Sequence, residues 1–236
     1  MGPQNLPERV RIVRERIAAA ARAAGRTVDS ITLLAISKAH PAESVRAAAA
    51  AGLGHFGESY LQEGLQKLEA LRDLPLTWHF TGRLQANKTR PVAAAFAWVH
   101  GVDRLRIAQR LSEQRPFHAP PLNVCLQVNI AGEESKGGVT PAELRDLAPA
   151  VAELPRLKLR GLMCIPPEEH DVLRQRAWFA RLRHELESLN AAGAGLDTLS
   201  MGMSGDFEAA ILEGATIVRI GTALFGPRPP AAAEAG

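Results

Sequence analysis

Cysteine is scarce in this 236-residue chain, and the two that occur, Cys125 and Cys164, stand alone in apolar runs. Two isolated thiols cannot build a disulfide framework, and they lack the paired spacing of a zinc site. We therefore expect both to be buried structural residues, since free cysteine is among the most buried residue types.

A marked excess of one charge is also absent, because 28 basic residues face 25 acidic ones and leave a net charge of +3. These charges are scattered along the chain, so no basic face for nucleic acid is predicted. No apolar run approaches the roughly 20 residues needed to cross a bilayer, and the N-terminal segment has no apolar signal core. We expect a cytoplasmic protein that binds neither nucleic acid nor membrane.

Short β-rich runs alternate with helical stretches along the chain, which is the pattern of a parallel α/β sheet. An additional amphipathic helix is predicted between Pro7 and Gly25, ahead of the first strand. We predict one domain, a (β/α)8 TIM barrel over about residues 7–227, with a fraying tail at 228–236. The eight candidate strands are 31–37, 54–58, 77–82, 97–102, 122–130, 158–165, 197–202 and 216–226.

Capping signals separate the helices from the strands. Ser59 with Gln62, and Thr140 with Glu143, both have the spacing of a capping box. Pro141 follows Thr140 at the position that proline favours in the first turn of a helix. Helices are therefore predicted to begin after the second and fifth strands.

The functional side chains of such a barrel lie at the C-terminal ends of its strands, where the βα loops meet. Lys38 follows the apolar run of the first strand, so its ammonium group would be partly desolvated at the barrel mouth. Desolvation lowers a lysine pKa and makes the neutral amine available to carbonyl compounds. The alternative is a lysine that extends from the strand end into solvent. The same rule brings to this mouth His79, Asn129, Ser200–Ser204, Gly221 and Thr222.

The segment LSMGMSGDFEAAILEG at 199–214 indicates an anion site, because a turn rich in Gly and Ser leads into a helix expected to begin near Ser204. In barrels, phosphate groups commonly bind at the loops after strands seven and eight, here Ser200–Ser204 and Gly221–Thr222. A plain N-cap at Ser204 and ordinary glycine turns are the alternative. Together with Lys38, the two loops favour a phosphate-bearing aldehyde as the ligand.

Seven segments in order resemble the pyridoxal phosphate homeostasis proteins, whose fold is similar to the N-terminal barrel of alanine racemase, fold type III among proteins that bind pyridoxal 5′-phosphate. The resemblance covers nearly the whole chain. It implies that the protein holds this cofactor and supplies it to apo-enzymes, without a substantial reaction of its own. The segments are AISKAHPAE (35–43), HFGESYLQE (55–63), WHFTGRLQANK (78–88), VNIAGEESKGG (128–138), GLMCIPP (161–167), LSMGMSGDFEAAI (199–211) and VRIGTALFG (218–226).

The resemblance also implies the residues that hold the cofactor. Lys38 would form a Schiff base with the cofactor aldehyde. Ser200, Gly221 and Thr222 would hold the phosphate, with help from the backbone around Met201. These residues come from the first, seventh and eighth strands.

Three further residues are implied around the cofactor ring. Arg219 would lie near the ring and His79 in the pocket wall, whereas Ser59 stands where the family usually has asparagine, so a ring contact there is in doubt. An arginine beside the ring disfavours a protonated ring nitrogen and so fits a carrier better than a catalyst. An ion pair with a carboxylate at the barrel rim is the alternative for Arg219.

Asn129, Ser204 and Lys136 complete the candidate residues. Lys136 lies in a Gly-rich loop, where a solvated side chain is the ordinary interpretation. Because it is basic and close to the predicted mouth, it is also a candidate to receive or release an anionic cofactor.

Two other functions stay open. A racemase-type enzyme needs a second acid/base group, which the racemase family takes as a tyrosine from an added β-domain, and the only tyrosine here is Tyr60. A barrel that binds another phosphorylated metabolite and uses Lys38 only as a charge would have no visible chromophore. Nothing requires a second subunit to complete the site, so we expect a monomer.

Overall fold

The computed structural model describes residues 5–133 and 136–227, so the predicted tail at 228–236 lies outside the described residues. Over these ranges eight parallel strands close into one barrel, each beside its neighbour in sequence, with β1 (Thr32–Ile36) paired to β8 (Ile217–Ile220). The predicted (β/α)8 barrel is therefore confirmed. The other strands are β2 (His55–Glu58), β3 (Thr77–Phe80), β4 (Trp98–Val102), β5 (Leu122–Gln127), β6 (Leu157–Met163) and β7 (Thr198–Ser200).

Helices cover the outside of the barrel, and no described helix is both long and apolar enough to cross a membrane. The large buried side chains Phe56, Phe96, Phe179 and Phe207 belong to this core. The helices are α1 (Leu6–Ala23), α2 (Ala42–Ala50), α3 (Leu61–Ala70), α4 (Thr89–Ala95), α5 (Leu105–Gln114), α6 (Pro141–Ala152), α7 (Val172–Ala191), α8 (Phe207–Leu212) and α9 (Thr222–Phe225).

The extra N-terminal helix is also confirmed as α1. Asn5 caps it by accepting a hydrogen bond from the backbone N–H of Glu8 at 3.1 Å. The helix buries Val10, Val13 and Ile17 and packs against α8 and α9. It therefore joins the beginning of the chain to its end.

The eighth strand is shorter than predicted. Its pairing with β1 ends at Ala35 and Ile220, and the N–H groups of Leu224 and Phe225 then bond to the carbonyl of Gly221, each at 2.9 Å. The segment at 222–225 is therefore the short helix α9, and the prediction of a strand to residue 226 is wrong. An apolar run of four residues does not distinguish a strand from one helical turn.

One of the two predicted capping boxes is present. The Thr140 hydroxyl accepts from the N–H of Glu143, whose carboxylate accepts from the N–H of Thr140. The box at Ser59 is wrong, because α3 begins at Leu61 after Tyr60, and the Ser59 hydroxyl lies 3.2 Å from that of Thr81 instead.

Both cysteines are buried, as predicted. Burial raises the pKa of the Cys125 thiol and that of the Cys164 thiol to about 12. Since the thiolate is the nucleophilic form, neither residue is a reactive cysteine.

Candidate functional site

A cavity of about 270 Å³ lies at the C-terminal mouth of the barrel. It is built by the loops that follow β1, β2, β3, β6, β7 and β8, as the barrel rule requires. It is lined by Ile36, Lys38, His40, Ser59, Thr81, Ile165, Met203, Ser204, Gly205, Arg219, Gly221, Thr222 and Gly226.

Lys38 lies in a tight turn two residues after β1 ends. The N–H of His40 donates to the carbonyl of Ser37 at 3.0 Å and closes this turn. Ala39, inside it, has a φ of 63°, a left-handed conformation that residues other than Gly, Asn and Asp seldom adopt. The turn places the half-buried Lys38 in the cavity lining.

The loops after β7 and β8 form the opposite wall of the cavity. The N–H of Ala223 donates to the Ser204 hydroxyl at 3.3 Å and so joins the two loops. Within the described chain, the N–H groups of Ser204 and Gly205 donate no hydrogen bond, and a Cβ at Gly205 would meet no atom within 4 Å. Backbone donors beside open space can bind an anion such as a phosphate group.

The turn between β7 and this loop depends on Gly202. Its φ is 91°, and a Cβ there would lie 2.6 Å from the Cβ of Ala210 and 2.9 Å from the Cα of Phe207. A side chain at this position would therefore displace α8 and the loop that begins it. Ser204 lies in this loop and not at the helix start, because α8 begins at Phe207 after Asp206. The alternative interpretation of Ser204 as a plain N-cap is therefore wrong.

Arg219 enters the cavity from β8 and is buried to 5% exposure. Its Nη1 donates to the carbonyl of Ser200 at 2.5 Å and to the Ser200 hydroxyl at 2.9 Å, and its Nη2 donates to the carbonyl of Cys164 at 2.7 Å. Burial lowers the pKa of the guanidinium, which nevertheless stays protonated in proteins. Three oxygens therefore hold a buried cation in one orientation.

A chain of three histidines leads from Arg219 through the barrel interior. The Ser200 hydroxyl lies 2.8 Å from Nδ1 of His100, and Nε2 of His100 lies 2.9 Å from Nδ1 of His79. Nε2 of His79 lies 3.0 Å from Nδ1 of His55, at the N-terminal end of β2. Burial lowers the pKa of all three histidines. They therefore form a neutral polar chain across the barrel.

Six of the predicted site residues line the mouth cavity, and they come from β1, β2, β7 and β8. The structure therefore brings together the strand-end lysine and both predicted loops. The six are Lys38, Ser59, Ser204, Arg219, Gly221 and Thr222.

His79, Ser200 and Met201 are not among the residues that line the cavity, and the roles expected for them stay predictions. The side chains of His79 and Ser200 are joined through His100 inside the barrel. Met201 is fully buried in the hydrophobic core. Thr81, two residues after His79, is on the same strand face and reaches the cavity.

Asn129 and Lys136 are also absent from the cavity lining. The Asn129 side chain donates to the carbonyls of Glu133 and Lys136 and accepts from the N–H of Gly132, so it holds its own loop together. Lys136 donates to the carbonyl of Pro166 at 2.8 Å and pairs with Glu133 at 2.7 Å. Both side chains therefore have structural partners.

Seven residues of the lining were not named individually as candidates, although Met203 lies inside the predicted loop Ser200–Ser204. They are Ile36, His40, Thr81, Ile165, Met203, Gly205 and Gly226. Thr81 could have been found, because it directly follows β3 and the barrel rule applies to it as to Lys38. The described residues contain no group of three or more His, Cys, Asp or Glu that could hold a metal ion. The site therefore offers one amine, one guanidinium, one imidazole, hydroxyl groups and backbone donors.

Comparisons with known proteins agree with this arrangement. The family described as alanine racemase, N-terminal domain, matches residues 12–229. A pyridoxal phosphate homeostasis protein of Pseudomonas aeruginosa is 61% identical over 223 residues, which cover 94% of this chain and 96% of that protein. PipY of Synechococcus elongatus, in a structure with pyridoxal phosphate bound, is 39% identical with a TM-score of 0.79, over 91% of this chain and 100% of that one.

Proposed function

Because this chain belongs to the alanine racemase N-terminal domain family, and within it to the pyridoxal phosphate homeostasis proteins, we propose that it binds pyridoxal 5′-phosphate in the mouth cavity. The observation that carries the proposal is the meeting of Lys38, Arg219 and the two joined loops around one cavity. PipY, which is named with this cofactor bound, supports the same ligand.

Lys38 is the residue that would bind the cofactor covalently, as a Schiff base between its amine and the cofactor aldehyde. The cofactor supplies the aldehyde, and the chain supplies a half-buried amine at the end of β1. The neutral amine is the form that attacks a carbonyl carbon.

The phosphate group would bind at the joined loops after β7 and β8. The donors that support this are the N–H groups of Ser204 and Gly205 and the hydroxyl of Thr222, with Gly221 beside them. Ser204 and Gly205 take the place in this proposal that Ser200 and Met201 had in the sequence analysis. A dianionic phosphate fits these donors because charge-assisted hydrogen bonds are the stronger ones.

Arg219 would face the cofactor ring and keep the ring nitrogen unprotonated. Its guanidinium is a permanent cation, and a second positive charge on a nearby ring nitrogen would be disfavoured. The protonated ring is the stronger electron sink, so this arrangement supports a carrier rather than an efficient catalyst.

We further propose that the protein acts in the cytoplasm, limits the free aldehyde and supplies the cofactor to apo-enzymes, with no substantial reaction of its own. The names of its relatives support a role in homeostasis. Tyr60, the only tyrosine in the chain, does not line the mouth cavity, which gives no support to a racemase-type reaction.

The first prediction concerns Lys38→Ala. We expect the wild-type protein to show visible absorption when loaded with pyridoxal 5′-phosphate, and borohydride to fix the cofactor on the peptide that contains Lys38. The variant should keep its fold and lose this adduct, since it lacks the amine. Visible spectra and peptide mass mapping measure both results.

If the wild-type protein stayed colourless after pyridoxal phosphate was added and the excess removed, the proposed cofactor would be rejected. An adduct on another lysine would reject the assigned residue. Loss of the adduct together with loss of folded circular dichroism would require Lys38→Arg as the second variant, because it keeps the positive charge without a reactive primary amine.

A further inference from the structure

A cluster of three charged side chains lies directly beneath the turn that carries Lys38. The Lys67 ammonium donates to Oε1 of Glu58 at 2.7 Å and to Oε1 of Glu63 at 2.6 Å. Its third bond, at 2.7 Å, goes to the backbone carbonyl of Ser37. All three of its donors are therefore used.

This cluster binds both neighbours of Lys38 in the chain. The Ser37 hydroxyl donates to Oε1 of Glu58 at 2.6 Å, and the N–H of Ala39 donates to Oε1 of Glu63 at 2.6 Å. Ser37 is thus bonded to Glu58 and Ala39 to Glu63, and Lys67 bonds to both carboxylates and to the Ser37 carbonyl.

Burial of these charged groups is energetically unfavourable. Glu58 is 0% exposed and Lys67 is 4% exposed, and burial raises the pKa of the Glu58 carboxyl. Oε2 of Glu58 is buried without a hydrogen-bond partner among the described residues. Buried ion pairs seldom gain stability over apolar packing, so this cluster is better explained by the geometry that it imposes.

The geometry that it imposes is the unfavourable conformation of Ala39. A left-handed alanine is unfavourable and persists only where its surroundings hold it. The bond from its N–H to Glu63 is such a restraint, because a turn relaxed to negative φ would redirect this N–H. Relaxation would also redirect the backbone of Lys38.

We propose that Lys67, Glu58 and Glu63 are positioning residues that aim the Lys38 amine into the mouth cavity. In the reaction that they assist, the neutral amine nitrogen bonds to an aldehyde carbon, and the carbonyl oxygen leaves as water with the two amine hydrogens. None of the three lines the cavity, so they act through Ser37 and Ala39. The choice of aldehyde rests on the proposed function, whereas the positioning does not.

Glu63 is the residue to change, because its side chain is 26% exposed, more than that of Glu58 or Lys67. Glu63→Ala removes the acceptor of the Ala39 N–H, and Glu63→Gln keeps an oxygen there. Glu187→Ala is the matched control, since Glu187 forms a pair of the same i,i+4 spacing with Arg183 on α7.

Two aldehydes test each variant. Formaldehyde with cyanoborohydride methylates the Lys38 amine, and pyridoxal 5′-phosphate with borohydride labels it with the cofactor. Peptide mass mapping gives the rate of each modification at Lys38 across a pH series. The charged groups that line the cavity with Lys38 are His40 and Arg219, which all the variants keep. Circular dichroism and thermal unfolding check the fold.

We expect Glu63→Ala to slow methylation of Lys38 by about tenfold, a factor that corresponds to the loss of one charge-assisted hydrogen bond. The pH profile of the methylation rate should shift as well. Glu63→Gln should stay within about threefold of the wild type, and Glu187→Ala should match it. Lys67→Met should slow Lys38 at least as much as Glu63→Ala.

Wild-type rates and pH profiles in a folded Glu63→Ala would overturn the positioning role. If Glu63→Gln were as slow as Glu63→Ala, the charge and not the bond to Ala39 would matter, and the proposal would also fail. If pyridoxal phosphate labelled no Lys38 while formaldehyde still ranked the variants as expected, the proposed function would fail and the positioning role would stand.

Discussion

Arg219 fixes the direction of every hydrogen bond along the histidine chain. A guanidinium only donates, so the Ser200 oxygen accepts from Arg219. Nδ1 of His100 is the one other partner of this hydroxyl among the described residues, so its hydrogen is directed there. His100 then carries its proton on Nε2 and donates to His79, which does the same towards His55. All three neutral imidazoles are therefore expected in the Nε2–H form.

The second prediction is that His100 stays neutral in mildly acidic solution. Burial, and then the charge of Arg219, lower its pKa to about 3, whereas an unfolded histidine titrates near 6.5. The stabilisation is complete above pH 6.5 and is lost as the pH falls, because only the unfolded chain takes up this proton. The loss reaches about 2 kcal/mol at pH 5. Imidazole ¹⁵N spectra report both tautomer and charge.

Spectra of the urea-unfolded protein at the same pH give the reference for a titrating histidine. A His100 resonance with protons on both nitrogens at pH 5 in the folded protein would contradict the prediction. A neutral His100 with its proton on Nδ1 would instead reverse the assigned direction of the chain.

At the scale of secondary-structure elements, the start of α6 is fixed by local chemistry alone. The third prediction is that Thr140→Ala lowers the free energy of unfolding by about 1 kcal/mol, the usual value of an N-cap. The reason is that the Thr140 hydroxyl accepts from the N–H of Glu143. Urea unfolding at pH 7 measures the change.

Ser59→Ala is the matched comparison, because Ser59 has the same sequence spacing but caps no helix. Its effect on unfolding should be smaller than that of Thr140→Ala. Equal losses in the two variants would show that the capping bond at Thr140 contributes nothing specific.

Element order could be predicted from the sequence, but the ends of the elements could not. Alternating apolar runs gave all eight strands and the N-terminal helix, because burial on both faces leaves a strong pattern. The prediction failed at 222–225, where one turn of α9 has the same apolar character as a strand. The end of a strand depends on where its hydrogen bonds to the neighbouring strands stop. The residues of that one segment do not contain this information.

The site could be predicted to the level of strands and loops. Lys38, Gly221 and Thr222 line the cavity because strand ends meet at the mouth. His79 and Ser200 lie inside strands β3 and β7 and are not in the cavity lining, whereas Thr81, just beyond β3, is. The cluster of Glu58, Glu63 and Lys67 joins two elements, and no single segment reveals it.

At the scale of the whole molecule, closure of the barrel leaves no strand edge open for pairing with another chain. The fourth prediction is therefore that the protein is monomeric at micromolar concentration, with a sedimentation mass near 25.4 kDa. Loading with pyridoxal phosphate should leave the mass unchanged, because Lys38, Arg219 and the two joined loops that would bind it meet within one chain. Analytical ultracentrifugation with and without the cofactor measures this.

A concentration-dependent rise towards twice this mass would contradict the prediction. A dimer only in the presence of pyridoxal phosphate would mean that the cofactor creates or completes an interface. The Lys38→Ala variant, measured under the same conditions, distinguishes an effect of bound cofactor on the mass from an effect of free cofactor in solution.

The contacts of β1 with β8, and of α1 with α8 and α9, also determine when the protein can fold during its synthesis. The apolar face of α1 emerges first, and its partners emerge on the order of ten seconds or more later at ordinary rates of synthesis. Arg16 of α1 meets Glu208 of α8 at 2.5 Å only after the strands from β1 to β7 have been synthesised. A translation product that stops before β8 has Lys38 but neither Arg219 nor Gly221. Incomplete chains would therefore not compete with finished ones for the cofactor.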